Sequence, residues 1–326
     1  MRKESIMIKK CLGCGVVLQN EDINSKGYTP KLENDYCVRC FKLRNYNTLI
    51  TEDINLDNEK IIDVVNKKAE VVFYLADLLT LDKEVIETFK KINTKKYLVI
   101  SKMDLLGKLV SKERIEEWLK EEYKITDPIL FLATNKGYNI RLITNTLDKL
   151  NMKNGHVLGY TNAGKSSLIN AMNDNQKITT SYLPNTTLDF IKIKVEDKTI
   201  VDSPGFTRKI NIMGKNDYNF IKKINVKELK QRSFQTKELQ NYMMENRLGF
   251  NFGNNKVTFY LSDELLIKRD YNERKEYQEI KINNNQDIII KGIGFINVKD
   301  KCILKYYGNL DWIEVRNSLF RGHKNE

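Results

Sequence analysis

The sequence predicts an α/β domain organised around a phosphate-binding loop, with a small cysteine-bound module before it and a region of different character after it. Three observations carry this reading. The stretch Gly159-Tyr160-Thr161-Asn162-Ala163-Gly164-Lys165-Ser166 fits G-x-x-x-x-G-K-[ST]. Two C-x-x-C pairs, Cys11/Cys14 and Cys37/Cys40, lie in the first forty residues. Between about residue 60 and the phosphate loop, short apolar runs alternate with helical periodicity, the signature of strands and helices in turn.

Composition bounds what the chain can be. Its 326 residues suffice for about two or three domains with their own cores. A net charge of +12 and a pI near 9.2 favour a polyanionic partner, although a solvated charged surface accounts for part of it. No apolar run approaches the ~20 residues of a membrane helix, so no stable membrane insertion is expected. Met1-Arg2-Lys3-Glu4-Ser5 starts basic without a following apolar signal core, which argues against secretion and for a cytoplasmic, globular protein.

Taken in order, the paired cysteines come first. Each C-x-x-C closes a tight knuckle, and two of them supply the four thiolates of a tetrahedral zinc site: Cys11, Cys14, Cys37 and Cys40. Disulfides or a redox pair are the alternative; without a secretory signal the first is poorly supported. The run Arg39, Phe41, Lys42, Arg44, Tyr46 interleaves cations with aromatics, as an RNA surface or as a solvated edge of the module. Residues near 47 to 60 read as a linker. A helix over Ile61 to Lys68 precedes a buried strand, Val71 to Leu75, that ends at Asp77, a strand-end residue with no catalytic role assigned. Lys83 to Ile92 reads as helix. Tyr97 to Ile100 reads as a strand delivering Ser101-Lys102-Met103-Asp104 to a carboxyl end, where open α/β sheets bind ligands. A helix over Ser111 to Tyr123, a strand over Ile129 to Leu132, the turn Ala133 to Gly137 and a helix over Ile140 to Leu150 lead to the phosphate loop.

That loop has the context its chemistry needs. A strand through Val157 and Leu158 runs into it and a helix opens after it at Ser167, so backbone N–H groups and the helix N-terminus face the phosphates. Lys165 then reaches the β- and γ-phosphates of a nucleoside triphosphate and the Ser166 hydroxyl ligates magnesium. Downstream, Pro184 to Asp189 precedes a strand over Phe190 to Val195. A hairpin around Glu196-Asp197-Lys198 returns through Thr199 to Val201 and ends at Asp202-Ser203-Pro204-Gly205.

These pieces are the motifs of a guanine-nucleotide-binding domain in rotated order, with Ser101–Asp104 and Ala133–Lys136 ahead of the phosphate loop, Thr186/Thr187 and Asp202–Gly205. Behind a double C-x-x-C module, this order resembles the YqeH family of circularly permuted, zinc-finger-containing ribosome-assembly GTPases. The resemblance implies a circularly permuted P-loop GTPase domain over 60–208, a zinc finger over 1–46 and a mixed, strand-rich C-terminal domain over 209–326. It implies GTP/GDP, Mg2+ and Zn2+ as cofactors, and the small ribosomal subunit or its precursor, with rRNA, as partners. Asp104 would accept from the guanine N1–H and exocyclic amine, Lys102 would lie along the base and tie its loop to the phosphate loop, and backbone around Ala133 and Thr134 would donate to O6. Asn162, Ala163, Gly164, Lys165, Ser166 and Ser167 would hold the phosphates. Asp202 would hold magnesium through water and the Gly205 N–H would sense the γ-phosphate. Thr187, with Thr186 as the alternative, would close over magnesium as the switch threonine.

The sequence departs from the family in three places, one of them the SAK triplet, which is loosened here to Ala133-Thr134-Asn135. Ser101 stands where the family has Asn, and a hydroxyl cannot reproduce both hydrogen bonds of an amide. Phe206 stands where many GTPases carry the water-orienting glutamine. Related hydrolases with that change use a potassium ion held by an asparagine at the position of Asn162, which implies slow, potassium-stimulated hydrolysis; a residue that only orders the loop is the other reading. No paired carboxylates, Ser/His/Asp set or Cys/His set supports a different enzyme, the only histidines being His156 and His323. A non-hydrolysing RNA-binding module with a degenerate nucleotide site is the remaining rival. In the tail, Lys222 to Tyr242 reads as helical, and Lys256–Leu261 and Asp287–Ile290 as strands. Lys268, Arg269, Arg274 and Lys275 near Tyr271 and Tyr277 make an RNA surface or a solvated face, while Lys291–Phe295 reads as a glycine-rich strand turn. Cys302 reads as a small core residue.

Overall fold

A computed structural model describes residues 9–11, 16–22, 25, 27–38, 58–106, 109–173, 180–182, 190–209, 220, 223–224, 228–272 and 275–320. Cys14, Arg39, Cys40, Phe41, Lys42, Arg44, Tyr46, Thr186, Thr187 and Arg274, all singled out above, lie outside them. The chain divides into two compact units, Met1–Leu75 with Lys91–Val99 and Leu132–Thr207, and Ala76–Lys90 with Ile100–Phe131 and Arg208–Glu326.

The α/β elements run α1 (Asn58–Lys68), β1 (Val71–Asp77), α2 (Lys83–Lys90), β2 (Lys95–Ser101), α3 (Met103–Leu106), α4 (Lys112–Tyr123), β3 (Ile129–Phe131), α5 (Leu142–Lys149), β4 (Asn154–Gly159), α6 (Lys165–Asn173), β5 (Thr180–Tyr182), β6 (Ile191–Val195) and β7 (Lys198–Asp202). Their strands form one sheet in the order β3-β2-β1-β4-β7-β6-β5. β1 pairs parallel with β4 and β4 with β7, whereas β5, β6 and β7 are antiparallel. All seven residues of β1 are buried, as a central strand covered on both faces requires. Helix α4 starts where a cap allows: the Ser111 hydroxyl accepts from the Arg114 N–H, and Ile115, Trp118 and Leu119 form the buried stripe.

The start of α1 and the segment after β7 meet in the first unit. The Asn58 side-chain amide donates to the Thr207 carbonyl at 2.8 Å and its oxygen accepts from the Thr207 N–H at 3.1 Å. Residues 149 apart are thus clasped where the chain enters and leaves the permuted order. The helix opens at Asn58, inside the stretch expected to be linker, and this clasp is the reason.

The tail holds far more strand than its sequence suggested. β8 (Leu229–Gln235), β9 (Asn241–Met244), β10 (Leu248–Asn251), β11 (Lys256–Ser262), β12 (Ile267–Asp270), β13 (Gln278–Ile282), β14 (Gln286–Ile290), β15 (Gly294–Val298), β16 (Cys302–Tyr307) and β17 (Ile313–Asn317) build two five-stranded sheets, β12-β9-β10-β16-β13 and β17-β14-β15-β11-β8. Tyr242, Phe250, Leu304 and Tyr306 from the first share one core with Phe259, Ile288, Ile296 and Val298 from the second. The helix expected over Lys222 to Tyr242 is corrected in its later part: residues 223 and 224 are helical, but β8 and the start of β9 take 229–235 and 241–242. Its helix-favouring charges are overruled by a seven-rung ladder between β8 and β11 and by Phe234, whose ring meets Tyr242 at 4.9 Å and Phe259 at 5.6 Å. The strands expected at Lys256–Leu261 and Asp287–Ile290 are present, and a turn at Gly292 joins β14 to β15. Cys302 is half-buried against the core.

Candidate functional site

In the first unit the phosphate loop leaves β4, and β7 delivers Asp202 beside it in parallel register, Val157 opposite Asp202. Past the strand ends the two chains stay joined. Tyr160 and Phe206 form a parallel bridge, in which the Phe206 N–H donates to the Gly159 carbonyl at 3.1 Å and the Thr161 N–H donates to the Phe206 carbonyl at 3.0 Å. The Phe206 ring is fully buried, 5.6 Å from Tyr160 and 6.0 Å from Tyr74. It is therefore a core anchor that fixes the Asp202–Gly205 loop against the phosphate loop, a role sequence reasoning missed because hydrogen bonds between two loops leave no sequence pattern.

This rung brings three predicted residues together. Lys165 opens α6 and donates to the Gly159 carbonyl at 2.7 Å, and the Asp202 carboxylate exerts a favourable field on it. Burial strips water from its ammonium and lowers its pKa to about 8, against that field. A Cβ on Gly205 would come within 3.2 Å of both Lys165 Nζ and Thr161 Cγ2, so any larger residue would push against the lysine and the loop. Within the loop Gly164 has φ +97° and Asn162 φ +67°. Asn is among the few side chains that accept the left-handed region readily, so the loop's own geometry accounts for an asparagine at 162. The arrangement of lysine, acid, glycine N–H and helix N-terminus suits a magnesium-bound polyphosphate.

The turn at Ala133 also belongs to this unit. Ala133 and Tyr138 exchange backbone hydrogen bonds of 3.2 and 3.0 Å around a 3-10 turn, Thr134–Lys136, that Gly137 closes with φ +67°. The Ala133 N–H is engaged there, and the turn packs against α6. The cysteine module is a third group. Cys11 and Cys37, one from each pair, are buried with Leu18 and flanked by Val16 and Tyr36. The Cys37 N–H donates to Cys11 Sγ at 3.2 Å, and the Cys11 N–H donates to the Val16 carbonyl at 2.8 Å, closing the first knuckle. A buried sulfur accepting a backbone N–H suits a metal-bound thiolate. Among the described residues no three potential ligands cluster.

In the second unit Ser101 ends β2, Lys102 adopts φ +55°, and Asp104 sits in the first turn of α3. The Ser101 hydroxyl donates to the Ala76 carbonyl at 3.3 Å. Lys102 is paired with Asp77 at 2.7 Å. Asp104 Oδ1 is buried without a hydrogen-bond partner among the described residues, an acceptor the fold itself does not satisfy. Among these residues no helix is long and apolar enough to cross a membrane.

Known proteins with this pattern are GTPases. A model of the RsgA GTPase family matches residues 71–211 and a model described as 50S ribosome-binding GTPase matches residues 155–290. YqeH of Bacillus subtilis is 27% identical over 95% of this chain and 98% of its own length. GTPase Era of Mycoplasma genitalium is 30% identical over 51% of this chain, which spans 58% of Era. GTPase Der of Borrelia garinii subsp. bavariensis is 27% identical over 45% of this chain, which spans 36% of Der. Among solved structures, YjeQ from Thermotoga maritima is similar with a TM-score of 0.31 and 24% identity, covering 44% of this chain and 51% of that one. The RsgA match opens at β1, so it takes in Ser101–Asp104 ahead of the phosphate loop, and the YqeH match extends over 95% of the chain. Order of motifs and end-to-end similarity agree: the chain is similar to YqeH along nearly its whole length and to the RsgA GTPase family over residues 71–211, which supports a circularly permuted GTPase.

Proposed function

We propose that the chain is a GTP-hydrolysing switch that binds an assembling small ribosomal subunit in one nucleotide state and leaves it in the other. The observation that carries this is the Tyr160–Phe206 rung, which gathers Lys165, Asp202 and Gly205 at one phosphate-binding loop. Lys165 neutralises the β- and γ-phosphates, while the N–H groups of Gly164, Ser166 and Ser167 cradle them; the Ala163 N–H is spent on the Tyr160 carbonyl at 3.1 Å and shapes the loop instead. Ser166 and, through water, Asp202 hold magnesium; Thr187 closes over it, and the Gly205 N–H reports the γ-phosphate. Asp104 reads the guanine edge, Lys102 lies along the base, and the backbone around Ala133 and Thr134 supplies the donor to O6. Hydrolysis is phosphoryl transfer to water, run by positioning and charge neutralisation. With Phe206 packed in the core, no side chain at that position orients the water, so turnover is slow and stimulated by potassium held at Asn162.

Cys11, Cys14, Cys37 and Cys40 hold one zinc ion; one equivalent of zinc per chain, lost with chelator together with the module's fold, is the expected result. The domain limits follow the same reading, with the zinc finger over 1–46, the GTPase over 60–208 and the tail over 209–326. The zinc finger and the tail's basic residues contact rRNA or ribosomal protein in the cytoplasm. One similar family model is described as 50S ribosome-binding, so both subunits belong in the test. The chain is co-sedimented with each subunit alongside a non-hydrolysable GTP analogue, GDP or an ATP analogue, at two salt concentrations. Small-subunit binding that requires the GTP analogue is expected. Binding indifferent to nucleotide and lost at high salt would leave only charge attraction by a +12 chain.

The Ser101 hydroxyl, turned to the Ala76 carbonyl, favours a second reading, a non-hydrolysing RNA-binding module. GTP turnover measured with and without potassium separates the two.

A further inference from the structure

We infer that Asp77 is a positioning residue for guanine recognition, holding the base-reading loop through Lys102; this rests on the GTPase reading above. Asp77 closes β1 with its side chain 4% exposed, and both carboxylate oxygens are engaged. Oδ1 accepts the Leu79 N–H at 3.0 Å, and Oδ2 accepts Lys102 Nζ at 2.7 Å. The carboxylate is thus fixed by its own backbone and presents one oxygen to the lysine. The pair stitches the carboxyl ends of neighbouring strands β1 and β2 across 25 residues of sequence.

The loop needs such a tie. Lys102 is held at φ +55°, a region a lysine seldom occupies, and the next turn is closed by the Leu105 N–H on the Lys102 carbonyl at 3.0 Å. An asparagine at 101 would offer a donor and an acceptor. The Ser101 hydroxyl instead donates to Ala76, the residue before Asp77. The charged pair is the stronger link, because its lysine is only 21% exposed and its partner nearly dry, where solvent screens little. An ammonium carries three hydrogens, so one bond to Asp77 leaves two and the aliphatic stem for the nucleotide. Two residues on, Asp104 keeps Oδ1 buried and unpartnered, and the aim of that oxygen depends on the backbone Lys102 anchors.

The test uses full-length protein and measures the dissociation constants of GDP, IDP and ADP by calorimetry. IDP lacks the exocyclic amine, so the GDP/IDP ratio reads the aim of Asp104 and not simply the presence of a fold. Asp77→Asn keeps the acceptor for Leu79 and removes the charge; it is expected to weaken GDP about tenfold, for one charge-assisted bond, and to shrink the GDP/IDP ratio. Lys102→Met should do the same from the more exposed side, and the double variant should be no worse than either single, as for two members of one interaction. Asp77→Glu should recover part of the ratio. A GDP affinity and ratio in Asp77→Asn within about twofold of the parent, or losses that multiply in the double variant, would overturn the assignment. An unmutated chain that binds ADP as well as GDP would instead overturn the guanine reading, and this assignment with it.

Discussion

The phosphate loop and the base-reading loop solve the same kind of problem by different means. The first is local: eight consecutive residues contain the lysine, the Ser166 hydroxyl and the two left-handed positions, Asn162 and Gly164. In the second, Ser101 donates to the Ala76 carbonyl and Lys102 is paired with Asp77 on another strand, the tie we propose as its restraint. Chemistry carried by backbone in a short segment is written contiguously. Chemistry carried by side chains can be moved to any residue the fold brings near, and a motif search then sees only a defect.

The largest expected effect falls on the local solution. Lys165→Glu puts a second negative charge against the phosphates in a buried site, and GTP affinity should drop by about 10³-fold or more, since charge-assisted bonds contribute about 1.5–3 kcal/mol each. Turnover should vanish with it, while near-ultraviolet dichroism stays that of the parent. A variant turning over at the parent rate would show that the phosphate is held elsewhere. Next in size is Asp104→Asn in the base-reading loop. The amide donates where the carboxylate accepted, so preference should move from guanine to xanthine nucleotides, whose C2 carbonyl is an acceptor. GTP should weaken roughly 10²-fold for one lost charge-assisted hydrogen bond and a donor set against a donor, and competition by GTP against XTP checks it.

Much of this molecule was legible before any coordinates, and the exceptions have physical causes. Every helix and strand expected between residues 61 and 202 is present, because buried strands such as Val71–Asp77 are continuous apolar runs and the helices are capped or amphipathic. In the tail, β8 alternates half-buried and exposed positions in a polar sequence, and only its ladder to β11 makes it a strand. β12, Ile267–Asp270, is shorter and as polar. At the site, the lysine, the acid and the glycine could be named from spacing, but Phe206 read only as a missing glutamine. Its work as a buried bridge to Tyr160 depends on residues 46 apart meeting, which no window of sequence contains. Asp77 read as a strand end for the same reason.

Proton linkage sharpens the comparison further. In the nucleotide-free chain burial holds Lys165 near pKa 8, below its unfolded value of 10.5. Between those values the unfolded state binds more protons, so this residue makes the free protein more stable as pH rises through that window. Nucleotide phosphates need the charged form, so GTP affinity should be flat below pH 8 and fall as pH rises above it, by up to about tenfold per unit. Binding isotherms from pH 7 to 9.5 test the slope, and Lys165→Met should remove it while leaving a low, level affinity.

The smallest expected change separates geometry from ion binding at Asn162. If the left-handed φ of +67° is what this position requires, Asn162→Gly keeps the loop, and GTP affinity should stay within about twofold of the parent. Asn162→Ala should cost about 1 kcal/mol of loop order, the penalty of placing an alanine in that region. If potassium binds the Asn162 carbonyl group, both variants lose the potassium dependence of turnover, although only the alanine loses affinity. A glycine variant that keeps its potassium response would give the ion another ligand and leave asparagine at 162 as a backbone choice alone.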